Sequence, residues 1–285
     1  MKRLLKILLI LLLPALITLG LSKYVPVFQM QKANAAFAAF RLMAGAAGVS
    51  GAVAGDTISY DFDGTGDALT MPDSADWDFM GSSSGSRSID FWIKAGTLTG
   101  SDMMVCHSES IGPNHHWIFQ VSTTAMDFFA QSGGATLNAT NTTVGIADTD
   151  WHHVLLVRVA DEFAIYIDGA QEAYTQESST DTYAGKLGIG IRDADAAGTI
   201  DALFDEIRFY TGNPFSAAPV VGETDTITVP TSQHTSDANT TLLIHCGETK
   251  TGTTGSNATF TDSGNTGHTV TEVGDAIENT VTYKW

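Results

Sequence analysis

The chain has only two cysteines, Cys106 and Cys246, and it is poor in cations. Two cysteines cannot supply the several bridges that hold small secreted domains together. A single bridge between them is open, because separation in sequence gives no distance in space. Lys and Arg number 14 against 32 Asp and Glu, a net charge of −18 over 285 residues. Six of those cations (Lys2, Arg3, Lys6, Lys23, Lys32 and Arg41) precede Met43 in a stretch without one acid. The remainder therefore carries 8 cations against 32 acids, or −24. Nucleic-acid binding needs clustered cations facing phosphates, so that class is excluded. A body of this charge is not built to rest on anionic lipid either. Charged residues make up only 16% and hydrophobic ones 43%, so the chain is not a disordered acidic tail.

What is present begins with an N-terminal hydrophobic segment. Lys2, Arg3 and Lys6 precede an uncharged Leu/Ile-rich run from Ile7 to Ser22. A basic start followed by an apolar run reads as a secretory signal, with Ala33-Asn34-Ala35 as a small-residue cleavage site. The run is short for a span of about 20 residues and contains Pro14. An uncleaved anchor, lengthened past Lys23, is the second reading and would be the chain's one membrane contact. In a third, translation starts at Met43 and the segment is not part of the protein. The expected organisation is a signal or anchor over 1–35, a Gly/Ala-rich linker over 36–55, a body over 56–215 and an extension over 216–285. Export to the cell surface or exterior follows from the first two readings.

The body shows short apolar or alternating runs separated by Gly, Asp, Asn, Ser and Thr clusters. These are Thr57–Phe62, Ala68–Met71, Arg87–Lys94, Met103–His107, His115–Val121, Met126–Ala130, Trp151–Val159, Phe163–Ile167, Ala170–Tyr174, Lys186–Ile191 and Ala202–Tyr210. Asp168-Gly169 supplies the positive φ of a two-residue hairpin turn. Val154-Leu-Leu-Val157 is continuously apolar, which implies cover on both faces. No segment of ten or more residues keeps a helical period after the linker. Many short strands with almost no helix predict an all-β, two-sheet antiparallel sandwich. After Phe215 the prolines Pro219 and Pro230 mark an irregular connection, followed by strands at Thr241–Cys246, Ala258–Thr261 and His268–Thr271. Three strands are too few for an independent domain. They are expected to pack on the sandwich or to pair with another chain, which leaves a homo-oligomer open.

Five segments resemble the laminin G-like domains of the concanavalin A-like lectin/glucanase superfamily. Tyr60-Asp-Phe-Asp-Gly-Thr-Gly-Asp67 is similar to their opening strand and Arg87-Ser-Ile-Asp-Phe-Trp-Ile-Lys94 to the next. Trp151-His-His-Val154, Tyr166-Ile-Asp-Gly169 and Phe204-Asp-Glu-Ile-Arg-Phe-Tyr210 are similar to later ones, in the same order. The resemblance implies a jelly-roll sandwich. In the tail, Leu242–Cys246, Phe260–Gly264 and Gly267–Thr271 resemble the piece that usually precedes the opening strand. Here it comes last, either as the start of a truncated second copy or as a permuted piece that completes the first. Similar tandem segments occur in virion and tail proteins of bacterial viruses, so a virion structural protein is the alternative role.

The resemblance also brings glucanases into view, and these need two carboxylates flanking the scissile bond. The Glu-x-Asp-x-x-Glu strand that supplies them is missing here, and so is a Gly-x-Ser-x-Gly nucleophile turn. The expectation is a non-catalytic binding or adhesion protein that recognises a glycan or protein through loops of a rigid scaffold. Sugar recognition needs an aromatic platform, and Trp77 and Tyr183 sit in loop-like contexts that suit one. Structural calcium is the expected cofactor, because hard cations take carboxylate and carbonyl oxygens at bends. Its candidate ligands are Asp63 and Asp67 in the opening turn and, by analogy with related sandwiches, Asp205. The same acids also read as solvated turn residues, with Asp205 accepting backbone hydrogen bonds. Asp193 and Asp195 form a second acidic turn. Cys106-His107 and His245-Cys246 do not make a zinc site, because strand neighbours point to opposite faces.

Overall fold

Alternation of inward apolar and outward polar residues decides where each strand lies. In the computed structural model, residues 59–82, 84–110, 115–192, 197–245, 259–274, 276–279 and 284 are described. The strands are β1 (Ser59–Asp63), β2 (Ala68–Met71), β3 (Ser86–Ala95), β4 (Asp102–Ser110), β5 (His115–Val121), β6 (Met126–Ser132), β7 (Ala135–Asn141) and β8 (His152–Val159). They continue with β9 (Glu162–Ile167), β10 (Ala170–Gln176), β11 (Lys186–Ile189), β12 (Asp201–Tyr210), β13 (Thr240–Ile244), β14 (Thr259–Phe260), β15 (Val270–Val273) and β16 (Ile277–Asn279). The expected signal or anchor, the linker, Cys246 and the Asp193–Asp195 turn lie outside the described residues. Nothing therefore follows about a bridge to Cys106, which is buried in β4.

Two antiparallel sheets form. The first runs β10-β9-β8-β3-β12-β1-β16, with β13 also on β12, and the second runs β14-β15-β2-β11-β4-β5-β6-β7. Phe62, Phe91, Phe163 and Phe204 of the first sheet face Trp117, Phe119 and Phe128 of the second, all fully buried. Phe91 and Phe119 lie 6.1 Å apart, and Phe128 stacks on Phe163 at 5.9 Å. Each such side chain contributes about 2–3 kcal/mol through burial.

The tail belongs to this sandwich. β12 pairs with β1 over Asp201–Phe204 and with β13 over Ile207–Tyr210, so one edge is covered by two strands in succession. β15 pairs with β2 and β16 with β1. The C-terminal strands thus complete both layers of the first copy. Where β1 gives way to β13, the β12–β3 register shifts between Asp205 and Arg208, and Glu206 takes φ +52. A left-handed non-glycine residue needs compensation. Here the Glu206 carboxylate accepts from the His234 N–H at 2.7 Å and from His245 Nδ1 at 2.6 Å.

The connection from β12 to β13 crosses the outer face of the first sheet. Phe215, Ala217 and Ile227 cover Leu155, Val157, Ala164 and Tyr166, which explains the continuous apolar run in β8. Tyr166 Oη donates to Asp225 at 2.6 Å, and Gln171 exchanges two hydrogen bonds with Val220 at 2.9 and 3.1 Å. Beneath the connection sits Asp90, 0% exposed. Arg208 Nε donates to its Oδ1 at 2.9 Å, while His234 Nε2 and His153 Nε2 lie 2.7 and 3.4 Å from its Oδ2. Burial alone would raise the Asp90 pKa. The surrounding His234, His153 and Arg208 outweigh it and hold the carboxyl well below the usual range.

Candidate functional site

The strand register gathers the loops at two ends. At the first end lie 72–82 and 84–85 before β3, His115 at the start of β5, 160–161 before β9, 177–185 before β11, and 261–269 before β15. At the second end lie 64–67, 96–101, 142–151 and the Asp168-Gly169 turn.

Trp77 and Tyr183 both lie at the first end, and neither is an exposed platform. Trp77 closes the short 3-10 turn Ala75–Trp77, where Ser74 Oγ accepts from the Asp76 N–H. It is 0% exposed, donates from Nε1 to Pro72 O at 2.9 Å, and packs between Phe209 at 5.4 Å and His268 at 4.4 Å. Tyr183 is 3% exposed, with its ring against His115 at 4.8 Å and His107 at 5.8 Å. Burial pushes its hydroxyl pKa up. The expectation of surface rings fails because the loops fold inward over the open end of the core, where aromatic area is worth most.

Above that aromatic floor lies a polar row. His115, at the start of β5, hydrogen-bonds Glu109 through Nδ1 and Asp181 through Nε2, the latter at 3.0 Å. Partial burial would lower the His115 pKa, but the two carboxylates raise it. The hydrogen bond from His115 lowers the Glu109 pKa. Asp181 is also lowered: burial opposes ionisation, but hydrogen bonds from Ser132, the Thr182 N–H and His115 prevail. These shifts all favour the ionised forms, carboxylate, imidazolium and carboxylate. The two carboxylates retain side-chain exposures of 42% and 24%, so they can accept hydrogen bonds from a ligand. Just inside, His107 Nε2 meets Gly185 O at 3.0 Å, and burial lowers its pKa.

The expected calcium ligands do not converge. At the second end, Asp67 Oδ2 accepts from the Asp63 N–H at 3.1 Å, which ties the opening turn together. Asp63 pairs with Asp201, four residues before Asp205 on β12. At about 3.3 Å per residue that is roughly 13 Å along the strand, far beyond shared coordination. Asp205 is fully buried on the outer face of the first sheet, paired in register with Trp92. Among the described residues no group of three His, Cys, Asp or Glu side chains is arranged to hold a metal ion.

The second end has its own imidazole clamp. His152 Nδ1 lies 2.6 Å from Asp168 Oδ2 and its Nε2 2.8 Å from Asp148 Oδ1. The hydrogen bond to Asp168, helped by Asp148, raises the His152 pKa from 6.5 to about 9. The clamp's contribution to stability is thus complete below pH 6.5 and is lost as pH rises toward 9. About 1–2 kcal/mol is expected, allowing for solvent screening at half-exposed carboxylates. Urea midpoints at pH 6 and pH 9.5 should differ more in the wild type than in His152→Ala. Equal pH slopes in the two proteins would contradict the assignment.

Neither cluster was expected from the sequence. Asp148, four residues before His152, is a local signal that could have pointed to the second clamp. Nothing local announces that Asp181 meets His115.

A family model, Laminin_G_3, described as the concanavalin A-like lectin/glucanases superfamily, matches residues 63–220. No curated protein matches the chain. Among solved structures, a Bacteroides ovatus protein provisionally assigned to carbohydrate binding superposes with a TM-score of 0.52 at 13% identity, over 80% of this chain and 61% of that one. The chain thus spans about three fifths of that relative's length, and the likeness is one of fold. Domains LG4-5 of the mouse laminin alpha1 chain give 0.43 at 15% identity, over 58% and 44% of the two chains. Domain 4 of AbnA, a GH43 extracellular arabinanase from Geobacillus stearothermophilus, in complex with arabinotriose, gives 0.40 at 18%, over 54% and 70%. These two are too distant to add to the comparison. The family match covers over half of the residues and the two-sheet architecture agrees with it, so the chain belongs to the laminin G-like group of the concanavalin A-like lectin/glucanase superfamily.

Proposed function

We propose that this protein is a non-catalytic binding module that recognises a glycan through the loops of the first end. The observation that carries the reading is the Glu109–His115–Asp181 row, two half-open carboxylates fixed by one imidazole over a rigid aromatic floor. Oriented carboxylates of this kind accept sugar hydroxyls without first paying the entropy of ordering. The Bacteroides ovatus relative's provisional assignment to carbohydrate binding supports the same reading.

The chemistry favours binding over cleavage. A glycosidase acid must hold a proton at working pH, which requires a raised carboxyl pKa. Glu109 and Asp181 are both lowered. Asp90, Asp205 and Glu206 are 0% exposed and are closed to a polysaccharide. The basic-then-apolar N-terminal sequence supports display at the cell surface or release from the cell.

An oligosaccharide array probed with wild type and with Asp181→Asn tests the reading. Wild type is expected to bind at least one glycan, and the variant to bind it about tenfold more weakly, the worth of one charge-assisted hydrogen bond. No new reducing ends should appear. Undiminished binding by the variant, or release of reducing sugar by the wild type, would overturn it.

A further inference from the structure

Only 8 Lys and Arg follow Met43, yet two of them, Arg87 on β3 and Arg158 on β8, stand directly opposite each other. Opposed like charges in a sheet repel, and a chain so poor in cations does not place them together through abundance. By strand alternation with Ile89 and Leu156 both point to the inner face, at the mouth of the first end. Arg158 is 0% exposed. Its Nε donates to Ala160 O at 2.9 Å, Nη1 reaches Phe79 O at 3.4 Å, and the guanidinium lies 4.9 Å from the Phe163 ring centroid. Its Nη2 is buried with no hydrogen-bond partner among the described residues, and the same holds for Oδ1 of nearby Asp161. The two charges act on each other, as do those of Arg158 and Glu177, but no hydrogen bond joins Arg158 to either acid.

A buried donor and a buried acceptor, both unmatched, each cost about 1–3 kcal/mol. They are what two adjacent hydroxyls would bridge, one accepting from Nη2 and the other donating to Oδ1. The charges facing the spot are Arg87 and Arg158 against Asp161 and Glu177, with Asp78 also acting on Arg87. That balance offers an anion no advantage. The cover is slight: Gly81, Ser82, Ser84 and Gly85 carry nothing larger than a hydroxymethyl group, and Gly85 O accepts from the Ala160 N–H at 3.2 Å. A ligand that bridged the two atoms would have to part that contact. The loop 177–185 links this spot to the polar row, since the Glu177 N–H donates to Asp161 O at 2.8 Å and Asp181 meets His115.

We infer that Arg158 and Asp161, with Arg87 beside them, form the floor of a second subsite that takes two adjacent hydroxyls of a neutral sugar residue. This deepens the glycan-binding reading of the first end and rests on it. The test is an array of neutral and uronic-acid-bearing oligosaccharides, probed with wild type, Asp161→Asn, Arg87→Gln and Asp181→Asn, with a thermal melt of each protein. Binding to a neutral oligosaccharide is expected, weakened about tenfold or more in both Asp161→Asn and Arg87→Gln at unchanged melting temperature. Arg87→Gln removes the charge at a half-buried position, so it remains informative if Asp161→Asn proves unstable. If both variants bind like wild type while Asp181→Asn is weakened, the subsite is wrong and the polar row stands. A preference for uronic acids overturns the neutral class. If wild type binds no glycan, both readings fall.

Discussion

Replacing Asp90 with alanine is expected to destabilise the fold by about 3–5 kcal/mol, because it strands a buried cation without its counter-charge. Arg208 is 7% exposed and donates to Asp90 from Nε, and its guanidinium lies over the rings of Phe215 and Tyr210. Without Asp90 it keeps those rings but has no carboxylate. His234 loses the same partner, and with it a pin that holds the β12–β13 connection to the sheet. Two readouts follow. The urea midpoint at neutral pH should fall, and the connection should become a preferred site of proteolytic nicking. Asp90→Ala combined with Arg208→Met should recover part of the loss, since removing both charges also removes the uncompensated one. A single-variant cost under about 1 kcal/mol would show that the cluster is solvated and that the connection does not seal it.

Ending the chain at Ala238 is expected to abolish cooperative folding. The family model stops at residue 220, and a reader guided by it would expect the shorter chain to stand alone. The structure argues otherwise. Leu242, Ile244, Phe260 and Val270 are each 5% exposed or less and belong to the main core. At about 1.5–3 kcal/mol each, their loss sums to roughly 6–12 kcal/mol, comparable to the whole stability of an ordinary domain. The truncation also bares the β12 edge over Ile207–Tyr210 and the β2 edge over Ala68–Thr70, both open to association. Circular dichroism and size-exclusion chromatography should show an unfolded or aggregated species. A sharp melt near that of the full chain would mean that the tail is an appendage.

How much the sequence disclosed depended on the range of the signal. Strands such as β3 and β9 were legible because Ile89, Phe91 and Ile93, or Phe163, Ile165 and Ile167, alternate with outward residues. β7 escaped notice because its inward positions, Asn138 and Thr140, are polar, buried at 2% and 0% exposure and hydrogen-bonded to each other at 2.8 Å. Three-residue β16 is too short to show a period. The tail's strands were readable as strands, but their place in this sandwich was not, because pairing of β13 with β12 and of β15 with β2 is written in no local pattern. Trp77 and Tyr183 misled because loop context in sequence suggests exposure, whereas these loops turn inward. Asp205 was joined to the calcium set by analogy, as part of a late strand lying beside the opening one; β12 does pair with β1, but register puts Asp205 four residues beyond the partner of Asp63. The polar row depends on Asp181 reaching His115 from another loop, and the pinned connection on His234 reaching Asp90. Only the folded chain brings such residues together.

The most direct measurement is a backbone amide NMR titration of the full chain with a neutral oligosaccharide selected on the array. Ligand recognition at the first end predicts saturable shifts at Glu109, His115, Asp181 and Asp161, small changes around His152 and Asp168, and an intact oligosaccharide at the end of the titration. Shifts centred on the Asp168 turn or on the outer face of either sheet, or the appearance of shorter sugars, would contradict it.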